Sequence, residues 1–345
     1  MSMAKDTLIL IMNQDRDLDL TMLKIEEFLM KPLNADLAFC GSWKSNDVKF
    51  LKQKFKFDWS IMEPTDWVKE MDRASDGVDR NWRELIQFGE QYGSHFLGPT
   101  ILGASTGSGA IGHFWRLHLQ KSLSDAIIDS YKWFVLTRSD WFWTVPHPNL
   151  VALDEEKIYV FAGESYEGLN DRHLIIPNKH LRKFLEIPDL IFKYPTQTSK
   201  SLKRLNMYNL NCERFYKFCI SYVGLLDKIV EVPYMGFLVR NANSHTRWAS
   251  GVYNKKLGLF VKYPNERNMA LQTSKYIKTS SSWNNVLSDP HRISQIIANP
   301  KNLNFKRIRR AYQILLDVIL YKNVRTKILK RGLKRVGYWL HSNSD

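Results

Sequence analysis

Short apolar segments bounded by polar turns begin the chain, and their order predicts an α/β fold. Residues 7–12 (TLILIM) and 35–40 (ADLAFC) have the length and composition of buried strands. Between them, residues 20–30 have apolar side chains roughly at helical spacing, and Pro32 follows. Because a strand, a helix and a second strand follow one another, the opening of the chain predicts neighbouring parallel strands.

The same pattern predicts further elements along the chain. Strands are expected over residues 57–62, 133–137 and 157–162, with several short strands within 228–263; helices are expected over 64–92 with a break near 75–77, 111–130, 178–193 and 209–223. Residues 46–56 alternate lysine with apolar side chains, which fits either a polar helix or an edge strand.

The positive charge of the chain is concentrated near its C-terminal end. The net charge is +15, and residues 301–336 alone contain twelve Lys and Arg against one Asp, a local excess of +11. Residues 305–340 interleave these cations with apolar positions, which is typical of an amphipathic helix on an anionic membrane surface. Two alternatives stay open, namely basic helices packed on the main domain and binding to nucleic acid.

Cysteine usage and hydropathy predict where the protein is found. Cys40, Cys212 and Cys219 are too few and too irregularly spaced for a disulfide framework, which favours a reducing compartment. The apolar run at residues 8–12 is too short for the core of a signal peptide. We therefore expect a cytoplasmic protein, attached peripherally at the inner face of the membrane if its basic segment binds lipid.

The aromatic strand over residues 133–137 ends abruptly in Arg138-Ser139-Asp140. Ligands of α/β proteins bind at the carboxyl ends of such strands. One interpretation is that Asp140 binds Mg²⁺ or Mn²⁺ bridging a nucleotide diphosphate, with Arg138 beside it. An Arg–Asp ion pair that merely caps the strand is equally consistent with the spacing.

Two more polar clusters follow predicted strands: Asn13, Gln14, Asp15 and Arg16 after the first strand, and Asn170, Asp171, Arg172 and His173 after residues 157–162 and a loop. In the second cluster, Asp171 is a candidate general base or sugar contact, and Arg172 or His173 is a candidate phosphate contact. Both clusters also have the composition of ordinary turns.

Two weaker signals stand near predicted helices. Residues 107–112 match G-x-G-x-x-G, but the residues before them contain glycine and proline instead of the buried strand that a dinucleotide site requires. A plain loop, or a loop whose backbone contacts a phosphate, fits as well. Glu213 opens a predicted helix, where an acid is favourable in any case, so a role near an acceptor is the weaker interpretation.

Taken in order, these stretches resemble a family. R-x-D at 138–140, G-x-N-D-R-H at 168–173, N-x-E-R-F at 211–215 and the pair Val239-Arg240 are similar to those of bacterial and viral glycosyltransferases of the GT-A kind, over about residues 5–245. The resemblance implies a Rossmann-type mixed sheet flanked by helices, followed here by C-terminal basic helices. It also implies a D-x-D-like motif that binds manganese or magnesium, although Arg138 replaces the first Asp.

The resemblance implies a role for each matching residue. The catalytic candidates are Asp140, also the metal ligand, and Asp171; the donor-binding candidates are Asn13, Gln14, Arg16, Arg138, Ser139, Asn170, Arg172 and His173; Glu213 and Arg240 are placed near the acceptor. The implied domains are residues 1–265, catalytic, with a nucleotide-sugar part at 1–145 and an acceptor part at 146–265, and residues 266–345, a helical basic extension.

The implied function is transfer of a sugar from a nucleotide-diphosphate sugar to a glycan or lipid-linked acceptor in surface polysaccharide synthesis, such as capsule or O-antigen. The clustered basic charge keeps a nucleic-acid-binding protein open as an alternative. The glycine motif keeps an NAD(P)-dependent oxidoreductase open as a less favoured one.

Overall fold

The computed structural model describes residues 5–15, 17–43, 49–75, 81–94, 109–241, 251–280 and 283. All of them belong to the compact unit Met1–Ile297. Arg16, the first two residues of the glycine motif and the basic segment 305–340 lie outside the described residues. The predicted domain boundary at residue 265 stays a prediction.

The described residues form twelve strands: β1 (Thr7–Gln14), β2 (Asp36–Trp43), β3 (Phe57–Asp58), β4 (Ile61–Met62), β5 (Trp133–Arg138), β6 (Trp141–Trp143), β7 (Ile158–Phe161), β8 (His173–Pro177), β9 (Ile229–Val232), β10 (Gly236–Arg240), β11 (Val252–Asn254) and β12 (Leu259–Val261). Eight of them form a mixed sheet in the order β3-β2-β1-β5-β8-β7-β9, with β4 also paired to β2. The other four form an antiparallel sheet in the order β11-β12-β10-β6.

The α-helices among the described residues are α1 (Leu18–Ile25), α2 (Lys31–Leu33), α3 (Lys49–Lys52), α4 (Trp67–Ala74), α5 (Trp82–Ile86), α6 (Gly109–Ser122), α7 (Asp125–Asp129), α8 (Asn178–Phe184), α9 (Asp189–Phe192), α10 (Pro195–Arg204), α11 (Cys212–Tyr222) and α12 (Pro264–Ser280). A π-helical turn, Glu26–Met30, joins α1 to α2. Short 3₁₀ turns occur at Glu90–Tyr92, Leu150–Ala152 and Leu226–Lys228. None of the described helices has both the length and the apolar composition needed to cross a membrane.

The larger sheet is buried on both faces. In β1, Leu8 and Leu10 belong to one apolar cluster, while Ile9 and Ile11 belong to the other. Successive side chains of a strand point to opposite faces, so a continuous apolar run buries both of them. The sequence TLILIM therefore specifies a central strand, and its neighbours on the two sides are β2 and β5.

The predicted mixed α/β sheet flanked by helices is confirmed, with most element bounds close to those expected. The helix expected at 20–30 extends over residues 18–33, so Pro32 lies in its last turn, and Asn34 then adopts a left-handed conformation with φ 45°. Residues 57–62 form two very short strands, β3 and β4.

The sequence pattern did not predict the antiparallel strand β8, helix α10 or the small strands β6 and β11. β8 lies between β5 and β7 and is antiparallel to both. Its apolar core of three residues is too short for periodicity to distinguish a strand from a helix. In α10 only Pro195, Thr198 and Leu202 are buried, so the helical stripe is weak.

Two histidines are enclosed in an aromatic cluster beneath β8. His173, the first residue of β8, has no exposed surface, and its ring stacks on Phe161 with centroids 4.7 Å apart. Its Nε2 lies 3.3 Å from Nε2 of His147. Burial lowers the pKa of His147 to about 4 and lowers the pKa of His173 well below its usual value, so both rings are neutral in the folded protein.

We therefore predict that the histidine pair destabilises the fold in mild acid. A lowered folded-state pKa means that the unfolded chain binds more protons, so this contribution to stability is complete above pH ~6.5 and is lost as the pH falls toward 4. For His147, a shift from 6.5 to about 4 corresponds to about 3 kcal/mol. Urea unfolding of wild type and His147→Leu at several pH values measures this contribution. The free energy of unfolding of wild type should fall relative to that of His147→Leu by about 3 kcal/mol as the pH is lowered from 6.5 toward 4.

The matched control is His180→Gln, because His180 lies on a partly exposed helix and contacts the Glu156 carbonyl. That variant should keep the wild-type pH dependence. Parallel pH dependences for wild type and His147→Leu would contradict the prediction.

Candidate functional site

The ends of β1 and β5 define a crevice in the larger sheet. The two strands are parallel neighbours, and Met12 is in register with Arg138. After β1 the chain passes to β2 on one side, and it returns to β5 on the other side. This reversal of strand order is a topological switch point, and ligands of open α/β sheets bind outside the carboxyl ends of the strands there.

A cavity of about 400 Å³ opens at this switch point. The sequence-predicted residues that line it are Asn13, Gln14, Arg138, Ser139, Asp140, Asp171, Arg172 and Glu213. Gly109, Ile111 and Gly112 of the glycine motif and Asn211 and Cys212 of the N-x-E-R-F motif line it as well. The lining residues that the sequence did not single out are Met12, Tyr166, Leu238, Lys262 and Tyr263. The structure thus brings residues from four separate polar stretches into one pocket.

Topology explains why these stretches meet. Since β8 is antiparallel to β5, the start of β8 lies at the same edge of the sheet as the end of β5. The loop before β8, which carries Asp171 and Arg172, therefore opens at the edge where Arg138 lies. The start of β8 also lies beside the end of β7, so the residues joining these two strands are at this edge as well.

Asp140 is buried and held by two guanidinium groups. Only 1% of its surface is exposed. Arg138 donates from Nε to Oδ1 and from Nη2 to Oδ2, both at 2.8 Å, and Arg240 donates from Nη1 to Oδ2. The ion-pair interpretation of Arg138 and Asp140 is therefore correct as geometry, yet both residues also line the pocket. Arg240, predicted near the acceptor, is buried behind Asp140.

The implied divalent metal does not fit this arrangement. Mg²⁺ and Mn²⁺ prefer several oxygen ligands with free lone pairs. At Asp140 both carboxylate oxygens already accept hydrogen bonds from guanidinium groups, whose positive charges would repel a cation. Among the described residues, no group of three His, Cys, Asp or Glu side chains is placed to hold a metal ion.

A hydrogen bond between Ser139 and Gln14 joins the ends of β5 and β1. The Ser139 hydroxyl donates to the Gln14 carbonyl at 2.6 Å, and the Thr21 hydroxyl donates to the Ser139 carbonyl. The Gln14 side chain donates to Glu63. Asn13 has a φ of 82°, a left-handed conformation that asparagine tolerates better than most residues. These bonds fix the polar turn after β1 against the R-x-D segment.

Asn170 holds the loop before β8 and does not line the pocket. It is 1% exposed, and its amide donates to the Gly163 carbonyl at 3.2 Å and to the Tyr234 hydroxyl at 2.6 Å. Its Oδ1 accepts from the backbone N–H of Arg172 at 3.0 Å. The predicted donor contact through Asn170 is thus replaced by a supporting role, because every one of these bonds is internal to the protein.

Arg172 lines the pocket and is oriented by a buried acid from α12. Its Nε lies 3.1 Å from Oε1 of Glu266, which has no exposed surface, and its Nη1 donates to the Glu164 carbonyl at 3.1 Å. The guanidinium also lies over the ring of Tyr263, 5.2 Å from its centroid. Glu266 in addition accepts from the backbone N–H of Leu238.

His173 does not reach the pocket. It immediately follows Arg172 but lies within the aromatic cluster beneath β8, where it has no exposed surface. Successive residues of an extended segment point to opposite faces of the sheet, so Arg172 and His173 cannot both point into the pocket. The prediction of a phosphate contact through His173 does not agree with this placement.

Two carboxyl groups from different elements line the pocket wall. Asp171 is about one third exposed, and its Oδ2 lies 3.5 Å from Nη2 of Arg116. Glu213 is in the first turn of α11, where Asn211 caps the helix by accepting from Arg214 N–H at 2.7 Å. Burial, with the charge of Asp171 adding to it, raises the pKa of Glu213 to about 7. Glu213 can therefore gain or lose a proton near neutral pH.

The loop between β7 and β8 is conformationally unusual. Glu164, Tyr166 and Glu167 have φ values of 44°, 45° and 68°, and Gly163 has a φ of 96°. Non-glycine residues rarely adopt this region, and such clusters concentrate at binding sites. Tyr166 lines the pocket from this loop. The sequence GESYEG signals a polar loop but not these backbone angles.

Comparisons with known proteins leave the family open. No protein-family model and no curated protein sequence match the chain. Among solved structures, it is similar to mouse xyloside xylosyltransferase 1 in its apo form, with TM-score 0.36 and 9% identity, covering 66% of this chain and 84% of that one. It is also similar to the galactosyltransferase LgtC with donor and acceptor sugar analogs, with TM-score 0.36 and 10% identity, covering 66% and 73%. At TM-scores below 0.5, these similarities do not establish a shared fold.

The placement of Glu213 yields a first prediction for the site. A Cβ on Gly168 would stand 1.9 Å from the Glu213 carbonyl carbon and 2.3 Å from the Arg214 nitrogen, both of them backbone atoms. Gly168→Ala should therefore force the loop away from the start of α11 and destabilise the protein by about 1–3 kcal/mol. Urea unfolding measures the loss.

Gly112→Ala is the matched control. Its Cβ would meet only the end of the Arg116 side chain, at 3.4 Å, within helix α6. Alanine favours a helix over glycine by up to about 1 kcal/mol, so this variant should be neutral or more stable. Equal stability of Gly168→Ala and wild type would show that the loop and α11 are not in contact as described.

Proposed function

We propose that this protein is a glycosyltransferase of the GT-A kind that transfers a sugar from a nucleotide-diphosphate sugar. The observation that carries the proposal is the meeting of the R-x-D segment, the turn after β1, the N-D-R loop and Glu213 in one pocket at the switch point. Nucleotides bind at such crevices in α/β proteins. The cavity of about 400 Å³ is in the range of small-molecule sites.

Cations on the pocket wall support an anionic donor. Arg138, Arg172 and Lys262 all line the cavity. Guanidinium groups bind phosphate oxygens through charge-assisted hydrogen bonds. In sugar transfer the diphosphate departs with negative charge, and preorganised cations at that position stabilise the transition state. Asn13 and Gln14, at the end of β1, are placed to contact the nucleotide.

The two acids of the pocket suit the acceptor end of the reaction. A sugar hydroxyl that attacks the donor must lose its proton, and a carboxylate within hydrogen-bond reach can accept it. Asp171, the sequence candidate for the general base, and Glu213, whose pKa is about 7, both line the cavity. In this proposal one of the two acids accepts that proton and the other contacts the sugars.

The biological setting is part of the same proposal. The acceptor is a glycan or a lipid-linked glycan of a surface polysaccharide, and transfer takes place at the inner face of the cytoplasmic membrane. The basic segment 305–340 would bring the enzyme to anionic lipid. Binding to nucleic acid rests on that same segment, outside the described residues. Gly109 and Gly112 of the glycine motif line the pocket, but the residues before the motif contain glycine and proline instead of the buried strand that a dinucleotide site requires.

The proposal predicts stabilisation by nucleoside diphosphates. UDP or GDP should raise the melting temperature of the wild-type protein, since a ligand that binds only the folded state stabilises it. Asp140→Ala should lose this shift, because Arg138 and Arg240 lose the carboxylate that holds them. Differential scanning fluorimetry measures both, with Asp125→Ala on the exposed start of α7 as the control that keeps the shift.

NAD and a short DNA duplex are tested in the same thermal-shift assay. A shift with NAD alone or with the duplex alone would reject the glycosyltransferase proposal in favour of one of the two alternatives.

The proposal also predicts how turnover depends on pH. If Glu213 accepts the proton, kcat/KM should rise as the pH increases through about 7, because only the deprotonated acid acts as a base. Glu213→Gln should lose this rise, and Asp171→Asn should lower kcat by at least about 100-fold if Asp171 accepts the proton instead. Release of UDP or GDP from a panel of UDP- and GDP-sugars measures turnover.

Asp125→Asn serves as the surface control and should match wild type at every pH. A pH-dependent rise that persists in Glu213→Gln and vanishes in Asp171→Asn would assign the base to Asp171 and contradict the role of Glu213.

A further inference from the structure

Two buried carboxylates hold two guanidinium groups at the wall of the pocket. Asp140 binds Arg138 through both of its oxygens, and Glu266 lies 3.1 Å from Arg172. Both acids are almost completely buried, and Glu266 does not line the cavity. Asp140 lines it together with Arg138 and Arg172, but both of its carboxylate oxygens already accept hydrogen bonds from guanidinium groups. The donors left for a ligand are therefore those of the guanidinium groups.

Arg138 keeps hydrogen-bonding capacity after its pairing with Asp140. A guanidinium has five N–H donors in a fixed plane. Asp140 takes one from Nε and one from Nη2, and Nη1 has no hydrogen-bond partner among the residues that the structure describes. About a quarter of the Arg138 side chain is exposed. The side chain is thus fixed along one edge while its remaining donors stay available to a ligand.

Asp140 and its two guanidinium partners together carry a net charge of +1. Asp140 contributes one negative charge, and Arg138 and Arg240 contribute two positive charges in direct contact with it. In a carboxylate-based metal motif the protein supplies negative charge and the metal supplies the positive charge that a diphosphate requires. Here the protein supplies the positive charge itself, and both oxygens of Asp140 are already engaged.

A further cation lines the same cavity. Lys262 follows β12, and its charge adds to those of the two guanidinium groups. Together these cations face the carboxylates of Asp171 and Glu213, which line the cavity as well.

We propose that this pocket binds the diphosphate of a nucleotide donor without a divalent metal, through the guanidinium of Arg138 with Arg172 beside it. Asp140 is then a positioning residue for Arg138, and Glu266 has the same role for Arg172. This inference rests on the proposed function, because it names how the donor of that reaction is held.

The decisive measurement is calorimetric titration of the full chain with UDP and with GDP, in excess EDTA and in MnCl₂. The affinity of the nucleotide that binds should agree within about twofold between the two conditions, since that factor corresponds to well under 1 kcal/mol. Binding that appears only with Mn²⁺ would overturn the inference and leave the proposed function standing. Absence of binding under both conditions would overturn both.

Substitution of Arg138 tests the anion contact directly. Arg138→Met keeps much of the side-chain volume and should weaken nucleotide binding in EDTA by about 10-fold or more, as expected for a hydrogen bond to a charged group. Arg182→Met is the matched control, because Arg182 is exposed and pairs with Asp125 and Asp129 on the surface. Unchanged affinity in a folded Arg138→Met would overturn the inference.

Asp140 distinguishes positioning from metal binding. If Asp140 acts through Arg138, Asp140→Asn should weaken nucleotide binding equally in EDTA and in MnCl₂, and it should add little to the effect of Arg138→Met in the double variant. A metal ligand behaves differently, since its loss would remove only a Mn²⁺-dependent part of the affinity. If Asp140→Asn does not fold, the comparison of EDTA with MnCl₂ on the wild-type protein still decides the question.

Discussion

The buried carboxylate of Asp140 connects the two sheets of this protein at the edge where the pocket opens. Its side chain binds Arg138 at the end of β5 and Arg240 at the end of β10, and its backbone carbonyl accepts from Val239 N–H at 3.0 Å. An unpaired charge at this depth would cost several kcal/mol, whereas a carboxylate with hydrogen bonds to two cations is compensated. The positions of both strand ends therefore depend on one side chain.

The pair of Arg172 and Glu266 repeats this arrangement at the same pocket. Glu266 belongs to α12, and it also accepts from Leu238 N–H in β10. Through this contact the helix that follows the last strand supports a side chain of the pocket. Burial of two such pairs brings little net stability, because desolvation offsets much of the attraction. What they provide is a fixed orientation for the guanidinium groups, which preorganises an anion site.

Much of the fold follows from local sequence, and so does the approximate location of the site. Residues 8–12 of TLILIM are all apolar, which specifies a central strand and places the turn after it at the ligand edge. The R-x-D segment and the N-D-R loop were found because polar side chains stand directly beside apolar strands. Asn170 and His173 show the limit, since a density of polar residues does not say which of them turn inward. Lys262 and Tyr263 were missed, although a cation and an aromatic residue at the end of a predicted strand segment were a usable signal.

The sequence by itself determined that this chain forms an α/β sheet and that Arg138, Asp140 and Asp171 stand at strand ends. Only the tertiary structure decided which of these charges face the pocket. Asp140 pairs with Arg240, 100 positions away, because the antiparallel strand β10 brings Arg240 to it. Arg172 pairs with Glu266 because helix α12 packs beside the pocket. Neither contact has a local sequence pattern. The physical reason is that a carboxylate has the same sequence signature whether it binds a metal or a guanidinium. Its partner is set by long-range packing, and here that packing places two guanidinium groups on the carboxylate of the R-x-D segment.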